Sequence, residues 1–451
     1  MARQYRAGGR FVVAVAALVA LTHCGTRMDA EGPERSSRQG VEAMGDCPGG
    51  VPLTPIAAIQ GSGASSPLAG RTVTTEGVVT GDFQGAELQN GFFIQDEQGD
   101  GNPATSEGLF VFIPRSNVLS GIDVKPGDRV RVSGRVTEFR TGAGTLTELD
   151  TVTALGICSG GAGLLPTSVA LPVRAVTDLE AYEGMLVTFV QELTVTETFG
   201  LGRFGELLLS SGGRLFNPTN GQGSTPEENA RRRILLDDGS SRQNPAPIPF
   251  LSSAGPDGTR RVGDTVRGLT GVLTYGFSEY RVFPTVAPAF VNTNPRTAAP
   301  APIAGGLKVA SFNVLNYFTT LGARGANSPL EFARQKAKIV AALKALDADI
   351  VGLIEVENNG TVALQDLVDA LNAAYGSPVY AAVPPPATGT GSDAIQVAFI
   401  YKPLSVHLAG PSLSFPAPVF DRYPVAQTFR VDRGEGRVGS DFTVVINHFK
   451  S

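Results

Sequence analysis

The sequence has no tryptophan and few histidines or cysteines, and each shortage excludes a class of protein. His23, His407 and His448 are too few for a histidine-rich zinc site. The net charge of −5 excludes a strongly cationic nucleic-acid binder, because tight nonspecific binding to phosphates needs a basic excess. Long apolar runs are also missing, since the apolar residues 11–21 are too short to span a bilayer.

Glycine and proline are abundant, with 55 and 31 residues, and this composition suits a turn-rich β protein. Hydrophobic residues make up 42% of the chain, which is enough to bury several cores, so wholesale disorder is excluded. A chain of 451 residues predicts three domains at about 150 residues each.

The N-terminus has the pattern of an export signal. Three arginines precede the apolar run, and this order is typical of a signal peptide, here over residues 1–24. The alternative is a buried N-terminal helix, although nothing amphipathic continues the run. Residues 21–25 resemble a bacterial lipoprotein box that would anchor the chain to a membrane through Cys24, but His23 replaces the expected small residue. We expect a secreted or cell-surface protein and leave the lipid anchor open.

Two cysteines remain beyond the signal junction. Residues 25–50 are polar and glycine-rich and predict a flexible tether, with Cys47 near its end. Cys47 and Cys158 flank the first predicted module, so we predict a disulfide between them in an oxidising compartment. The alternative is two unpaired, buried thiols.

Short β-branched strands separated by Gly, Asp and Asn turns predict two related β-barrel modules, at 51–160 and 165–292. The repeat is clearest where residues 127–131 (Gly-Asp-Arg-Val-Arg) are echoed by residues 263–267 (Gly-Asp-Thr-Val-Arg). The second module contains a segment rich in Pro, Asn and Gly at 217–250, which we interpret as an insertion.

The strand order of both modules resembles the OB-fold modules that precede the catalytic domain of bacterial extracellular nucleases. OB folds bind single strands on aromatic platforms, for which Phe92, Phe93 and Phe139 are candidates, although a strand phenylalanine more often belongs to a core. The loop 96–102 carries oxygen ligands that could hold Ca²⁺, but the same residues suit a hairpin turn, which we favour.

The composition changes after a Pro/Ala linker at 293–305. A buried strand near 307–316, a helix beginning after Ser328 and a second strand ending at Glu355 predict a right-handed β-α-β unit. Asn313 and Glu355 would then converge at the carboxyl ends of parallel strands, as hard oxygen ligands for Mg²⁺ or Mn²⁺. The alternative is that these polar residues form sheet-edge hydrogen bonds. A further helix is predicted near residues 362–375.

Four segments carry a family resemblance: 311–316 (Ser-Phe-Asn-Val-Leu-Asn), 350–358, 393–401 and 447–451 (Asn-His-Phe-Lys-Ser). Together they resemble the endonuclease/exonuclease/phosphatase superfamily, and in particular bacterial secreted nucleases of the ExeM type. The resemblance covers residues 306–451. It implies a multidomain fold of two OB-like β-barrel modules followed by an α/β sandwich.

The resemblance also implies an activity. In the family, the residues that match Asn313 and Glu355 hold a divalent metal, Mg²⁺ or alternatively Mn²⁺. The residue that matches His448 contacts the scissile phosphate and assists acid–base catalysis. We therefore expect an exported, metal-dependent nuclease for DNA, with RNA as a further candidate substrate. The alternatives are a phospholipase or sphingomyelinase of the same superfamily, or a surface protein that binds nucleic acid without catalysis. No protein partner is indicated.

The chain departs from the family in one respect. The family continues with a Gly-Asp-x-Asn motif and a Ser-Asp-His motif, and residues 306–451 contain neither. We therefore expect a truncated catalytic domain, with residues 442–446 forming an apolar strand that lacks partners on its far side. Little hydrolysis is expected of such a chain, since a lost water-activating base costs about 10²–10⁴-fold.

Overall fold

The computed structural model describes residues 42–43, 47, 51–218, 224–251, 258–432 and 438–449. The predicted signal peptide and nearly all of the predicted tether, with His23 and Cys24, lie outside the described residues. The chain forms two compact units, Met1–Asn294 and Pro295–Ser451, and their boundary falls inside the linker predicted at 293–305. No helix among the described residues is long and apolar enough to cross a membrane.

The first half of unit 1 is a closed β-barrel. Its elements are β1 (Glu42–Ala43), α1 (Ile56–Gln60), β2 (Thr72–Phe83), β3 (Gly91–Gln95), β4 (Gly108–Phe112), a 3₁₀ helix (Val118–Gly121), β5 (Arg129–Thr141) and β6 (Gly144–Ser159). Strands pair in the order β6-β4-β3-β2-β5, and β5 pairs back with β6. Within this ring β4 and β6 run parallel and the other pairs are antiparallel. Alternate apolar residues fill the interior, among them Ile94, Val111, Val130 and Leu149.

The second half of unit 1 is a barrel with the same strand order. Its elements are β7 (Thr167–Ser168), a 3₁₀ helix (Val176–Tyr182), β8 (Leu186–Phe189), β9 (Leu193–Glu197), α2 (Leu201–Phe204), β10 (Glu206–Ser211), α3 (Pro226–Arg231), β11 (Arg233–Asp237), β12 (Thr265–Val266), β13 (Leu269–Gly276), β14 (Glu279–Pro284) and β15 (Phe290–Val291). Strands β8 and β9 together take the place of β2, and β12 and β13 together take the place of β5. The parallel pair is here β11 with β14.

The repeated Gly-Asp turn makes the same contacts in both barrels. Gly127 donates its amide to the carbonyl of Val79, and Gly263 does the same to Val195. Both glycines have a positive φ, of 93° and 101°, which glycine adopts at no steric cost. The turn therefore recurs because its backbone needs glycine at one position.

The segment of the second barrel that corresponds to β2 is interrupted, because it contains two more residues than β2 does between matching positions. Four residues separate Thr74 from Val79, whereas six separate the corresponding Thr188 from Val195. The additional residues lie between β8 and β9, where the chain leaves the sheet.

The predicted insertion at 217–250 needs correction, because it contains a barrel strand. Strand β11 pairs with β10 on one side and with β14 on the other. Its residues alternate between the buried Ile234 and Leu236 and less buried neighbours, as a strand between two partners requires. The surrounding Pro, Asn and Gly residues concealed this short strand in the sequence.

The predicted disulfide between Cys47 and Cys158 is present, with their Cα atoms 5.0 Å apart. It joins the chain segment before the first barrel to the end of β6. The bond closes a loop of 111 residues and therefore constrains a large part of the unfolded chain.

The two barrels pack against each other within unit 1. A Cβ atom at Gly108 would clash with the backbone of Gly184, so the two backbone segments approach as closely as glycine allows. Phe93 and Phe110 of the first barrel also form an aromatic cluster with Phe283 of the second.

The three candidate phenylalanines have different environments. Phe92 lies in the core of the first barrel and Phe93 in the cluster between the barrels. Phe139 is 53% exposed. Residues 96–102 begin the connection 96–107 between the antiparallel strands β3 and β4, and the side-chain oxygens of Asp96, Asp100 and Asn102 accept amides of this connection. This is the hairpin turn that the sequence favoured.

Unit 2 contains two β-sheets and two helices. Its elements are β16 (Val309–Tyr317), α4 (Pro329–Leu346), β17 (Ile350–Glu357), α5 (Val362–Tyr375), β18 (Ala381–Ala382), β19 (Ile395–Tyr401), β20 (Val406–Leu408), β21 (Leu413–Ser414), β22 (Val425–Asp432) and β23 (Val438–Ile446). One sheet has the order β16-β17-β19-β18, with β16 and β17 parallel as predicted. In the other, β22 pairs with β20, β21 and β23.

The helices and the second sheet cover opposite faces of the first sheet. Helices α4 and α5 pack on one face, and Ser328 caps α4 by accepting the amide of Glu331. Phe399 and Val397 on the other face meet the second sheet.

Residues 442–446 lie in strand β23, which among the described residues pairs along one edge only, with β22. Phe442, Val444 and Ile446 all pack into the core between the two sheets, so the apolar face of this strand is covered. The residues between them point away from the core, and Val445 is exposed. The strand thus has partners on its apolar face within the chain.

Candidate functional site

Two neighbouring strands bulge at the same level near their carboxyl ends. Asn313 pairs with Ile354 and Tyr317 pairs with Val356, so β16 has three residues where β17 has one, Glu355. In this bulge Leu315, Asn316 and Glu355 have φ values of 53°, 49° and 69°. Left-handed backbone is uncommon for leucine and glutamate and costs about 1–3 kcal/mol per residue. Such strain is often found at functional sites, so the bulge marks a candidate site.

The bulges bring Asn313 and Glu355 into contact. The Asn313 side-chain amide donates a hydrogen bond of 2.9 Å to Glu355 Oε1, and the backbone amide of Asn316 donates one of 3.0 Å to Oε2. The oxygen of Asn313 accepts the amide of Leu315 at 2.7 Å, which fixes the orientation of the amide group. Asn313 therefore holds the carboxylate in place with its nitrogen, and its predicted role as a metal ligand stays a prediction.

His448 completes the group that the sequence predicted. It follows β23 in the second sheet, and its Nε2 lies 3.7 Å from Glu355 Oε1. Burial lowers the pKa of His448, with further lowering from Arg422 and Arg324 that Glu355 and Asp393 oppose. The imidazole is therefore neutral near pH 7, and its Nδ1 is buried without a hydrogen-bond partner. The three residues meet at one site, although His448 comes from a stacked sheet and not from a neighbouring strand.

Two arginines near His448 were not singled out from the sequence. Arg324 donates a hydrogen bond of 3.2 Å to Asp393, which also lies 3.9 Å from Arg422 Nε. The Arg422 side chain is 10% exposed, and its Nε has no hydrogen-bond partner. Two cations thus share one carboxylate here, and guanidinium groups are common ligands of phosphate and carboxylate anions. Arg422 follows an irregular loop and has no sequence signal of its own.

A second carboxylate of β17 supports the loop after β16. Glu357 is buried and accepts hydrogen bonds from Thr319, Thr320 and Asn359. Burial alone would raise the pKa of Glu357, but these hydrogen bonds hold it below its ordinary value. Glu357 is therefore ionised and serves to position the loop.

The donor atoms fit a hard divalent cation by type. Glu355 offers carboxylate oxygens, and the buried side-chain oxygen of Asn316 has no hydrogen-bond partner. Mg²⁺ is commonly held by one or two carboxylates and keeps its remaining positions for water or phosphate. Within the described part of the chain, no group of three or more His, Cys, Asp or Glu side chains is arranged to hold a metal. A metal here would depend on Glu355 and on oxygens from amides, water or substrate.

A family model and a solved structure each match part of the chain. A family model described as a domain of unknown function (DUF8508) matches residues 172–295, which is most of the second barrel. No curated protein matches the sequence. Among solved structures, the human Nocturnin catalytic domain with bound sulfate matches at 18% identity with a TM-score of 0.22. The match covers 32% of this chain and 50% of the Nocturnin structure, so the chain spans half the length of that structure.

Proposed function

We propose that the protein is an exported, metal-dependent phosphodiesterase that hydrolyses nucleic acid, DNA in the first place and RNA as a further substrate. The observation that carries the proposal is the convergence of Asn313, Glu355 and His448 at a strained double bulge. These residues lie 135 positions apart in sequence, so the fold and not local structure brings them together.

Each of these residues has a role that follows from its contacts. Glu355 binds the metal, Mg²⁺ or Mn²⁺, and Asn313 and the amide of Asn316 orient its carboxylate. A bound metal neutralises charge on the scissile phosphate. His448 is neutral, so it can donate a hydrogen bond to a phosphate oxygen with one nitrogen and accept a proton with the other.

The arginines supply a second element of phosphate binding. The exposed part of the Arg324 side chain can donate to a phosphate oxygen, and Arg422 adds a second positive charge beside it. Asp393 pairs with both arginine side chains and so holds them in place.

Export is supported by two independent features. The N-terminal sequence has the order of a signal peptide. The Cys47–Cys158 disulfide is the kind of bond that persists in an oxidising compartment.

We further propose that both barrels are OB-like modules. Their strand order, with one parallel pair closing a five-membered ring, matches a Greek-key barrel of that kind. In such a protein the barrels would stand before the catalytic unit in the chain.

The test combines metal binding with activity. Mn²⁺ binding to the whole chain is measured by electron paramagnetic resonance, and plasmid nicking is measured with Mg²⁺ or Mn²⁺. Glu355→Gln should weaken Mn²⁺ binding and reduce nicking by about 10²-fold or more, because it removes the charged ligand. His448→Ala should reduce nicking while Mn²⁺ binding persists. Asp369→Asn, at an exposed carboxylate of α5, is the matched control and should change neither.

Equal Mn²⁺ binding by the wild type and Glu355→Gln would contradict the proposed metal site. Hydrolysis of sphingomyelin or phosphatidylcholine in place of DNA would favour a phospholipase. DNA binding by fluorescence anisotropy, with no Mn²⁺ binding to the wild type, would favour a binding protein without catalysis.

A further inference from the structure

A large cleft lies between the two barrels of unit 1, far in sequence from the proposed catalytic residues. Its volume is about 1030 Å³, at the upper end of the range of small-molecule sites. Aromatic side chains from both barrels line it: Phe93, Phe110, Phe112, Phe139, Phe199, Phe204, Tyr275, Phe277 and Phe283. Phe139 and Phe277 are 53% and 80% exposed at the rim, and Phe277 already holds the Arg281 guanidinium over one ring face, at 5.3 Å from its centroid.

One mostly buried carboxyl group faces this cleft. Glu148 of β6 is 4% exposed as a residue and lines the cleft, where its carboxyl oxygens keep contact with solvent. The surrounding side chains remove most of its hydration, and this burial raises the pKa of its carboxyl. A ligand that brings a positive charge would compensate the ionised carboxylate for the lost hydration.

Among the other carboxylates that line the cleft, Glu197 is exposed and the rest are paired. Asp150 receives two hydrogen bonds from Arg135, and Glu279 receives one from Arg233. Glu148 is thus the buried acid of the cleft that a ligand can still reach.

The arginine on the opposite wall is also neutralised. Arg281 donates to Asp237 at 2.5 Å and to Glu206 at 2.9 Å. The lining therefore offers no buried cation for a phosphate, and the cleft does not suit the backbone of a nucleic acid.

We propose that this cleft binds a small organic cation with an apolar, ring-containing body. Its positive charge pairs with Glu148, and its rings stack on Phe139 and Phe277, whose faces attract cations. The site is assigned independently of the proposed nuclease activity, since it lies in the other compact unit.

Binding of such a cation should depend on pH. Burial, and secondarily the charge of Asp150, raises the pKa of Glu148 to about 8, so the free acid is mostly protonated at pH 7. A cation prefers the ionised form, so its affinity should rise by about eightfold from pH 7.0 to pH 8.5. The other charged groups that line the cleft are Asp150, Glu197, Glu206, Arg233, Asp237, Arg242, Glu279 and Arg281.

The probe is thioflavin T, a flat aromatic dye with a fixed positive charge, which is titrated into the whole chain and followed by fluorescence. Glu148→Gln should weaken binding about tenfold and abolish its pH dependence, because the charge partner is lost. Phe277→Ala, at a largely exposed rim residue that the fold does not need, should weaken binding several-fold.

Matched controls separate the cleft from general effects. Glu279→Gln removes a carboxylate of the same cleft that Arg233 already neutralises, and it should change affinity less than threefold. Glu355→Gln should bind the dye like the wild type, so failure of the nuclease proposal leaves this one intact. The aromatic anion 1-anilinonaphthalene-8-sulfonate should bind more weakly than the cation.

Three results would overturn the proposal: tighter binding of the anion, unchanged thioflavin T affinity in Phe277→Ala, or wild-type affinity that does not rise with pH. The last two results are measured on Phe277→Ala and on the wild type, so they test the proposal even if Glu148→Gln does not fold.

Discussion

In the first barrel, the turn before β5 carries Asp128, which is half-buried and accepts the amide of Lys125. In the second barrel the corresponding Asp264 is completely buried, and it accepts both the amide of Arg261 and the guanidinium of Arg260. The residue four positions before each aspartate explains the difference. It is Val124 in the first barrel, a core residue, and Arg260 in the second. The same fold thus closes over an apolar side chain in one case and a buried ion pair in the other.

This difference shows which parts of the repeat are required by the fold. The glycine and aspartate of the turn are present in both barrels, because they shape the backbone. The residue that fills the space below the turn is free to change. Arg260 stacks on Phe290 and donates to the carbonyl of Phe250, so its buried charge is fully engaged.

The largest expected effect comes from breaking this ion pair. Asp264→Ala should lower the free energy of unfolding by about 3–5 kcal/mol, because it leaves the Arg260 charge buried without its partner. The measurement is urea denaturation of the whole chain followed by circular dichroism. Asp128→Ala, the matched change in the first barrel, removes only a turn hydrogen bond and should cost about 1 kcal/mol.

A double variant sharpens the comparison. Arg260→Met with Asp264→Ala replaces the pair by apolar groups, as Val124 does in the first barrel, and should be more stable than Asp264→Ala alone. If the two aspartate variants lost equal stability, the two turns would be energetically equivalent and the comparison would fail.

The second prediction concerns the cross-link of the first barrel. Changing both Cys47 and Cys158 to serine should lower the free energy of unfolding by about 2–4 kcal/mol, because a loop of 111 residues is released in the unfolded chain. Reduction of the wild type with dithiothreitol should give a similar loss, and it should leave the double variant unchanged. A loss confined to the second barrel's unfolding transition would contradict the assignment.

Much of this architecture is readable from the sequence, because it depends on local chemistry. The Gly-Asp turns need a glycine with positive φ, and the capping serine at Ser328 marks the start of α4. Helix α5, at Val362–Tyr375, begins and ends where its apolar spacing predicts. Strand β11 escaped prediction because five residues between two irregular loops give little periodicity.

The candidate site could also be predicted only in part from the sequence. Asn313, Glu355 and His448 were identified through motifs, and the structure brings them into contact. The double bulge could not be predicted, because it depends on the register between two strands. Arg422 could not be predicted either, since only the folded chain places it beside His448.

The last and smallest predicted effect concerns β6 in the first barrel and β14 in the second, the two strands that enter the parallel pairs. Glu148 pairs with Phe110 in one parallel pair, and Arg281 pairs with Leu235 in the other, so they occupy corresponding positions. Arg281 is held by two carboxylates, whereas no cation among the described residues forms an ion pair with Glu148. The two positions should therefore respond to neutralisation with opposite signs.

Glu148→Gln should stabilise the protein, and the gain should grow with pH. The folded-state pKa of about 8 lies above the ordinary value of 4.5, so the folded protein holds this proton more tightly than the unfolded chain does. Wild-type stability therefore falls relative to the glutamine variant as pH rises from 4.5 to 8, by about 1–3 kcal/mol in total. Urea denaturation at pH 5, 6.5 and 8 measures this difference. Arg281→Gln is the control and should destabilise at each pH, because Asp237 and Glu206 lose their shared cation. A gain for Glu148→Gln that is constant with pH would show that its carboxyl does not titrate in this window, and the contrast between the two barrels would reduce to packing.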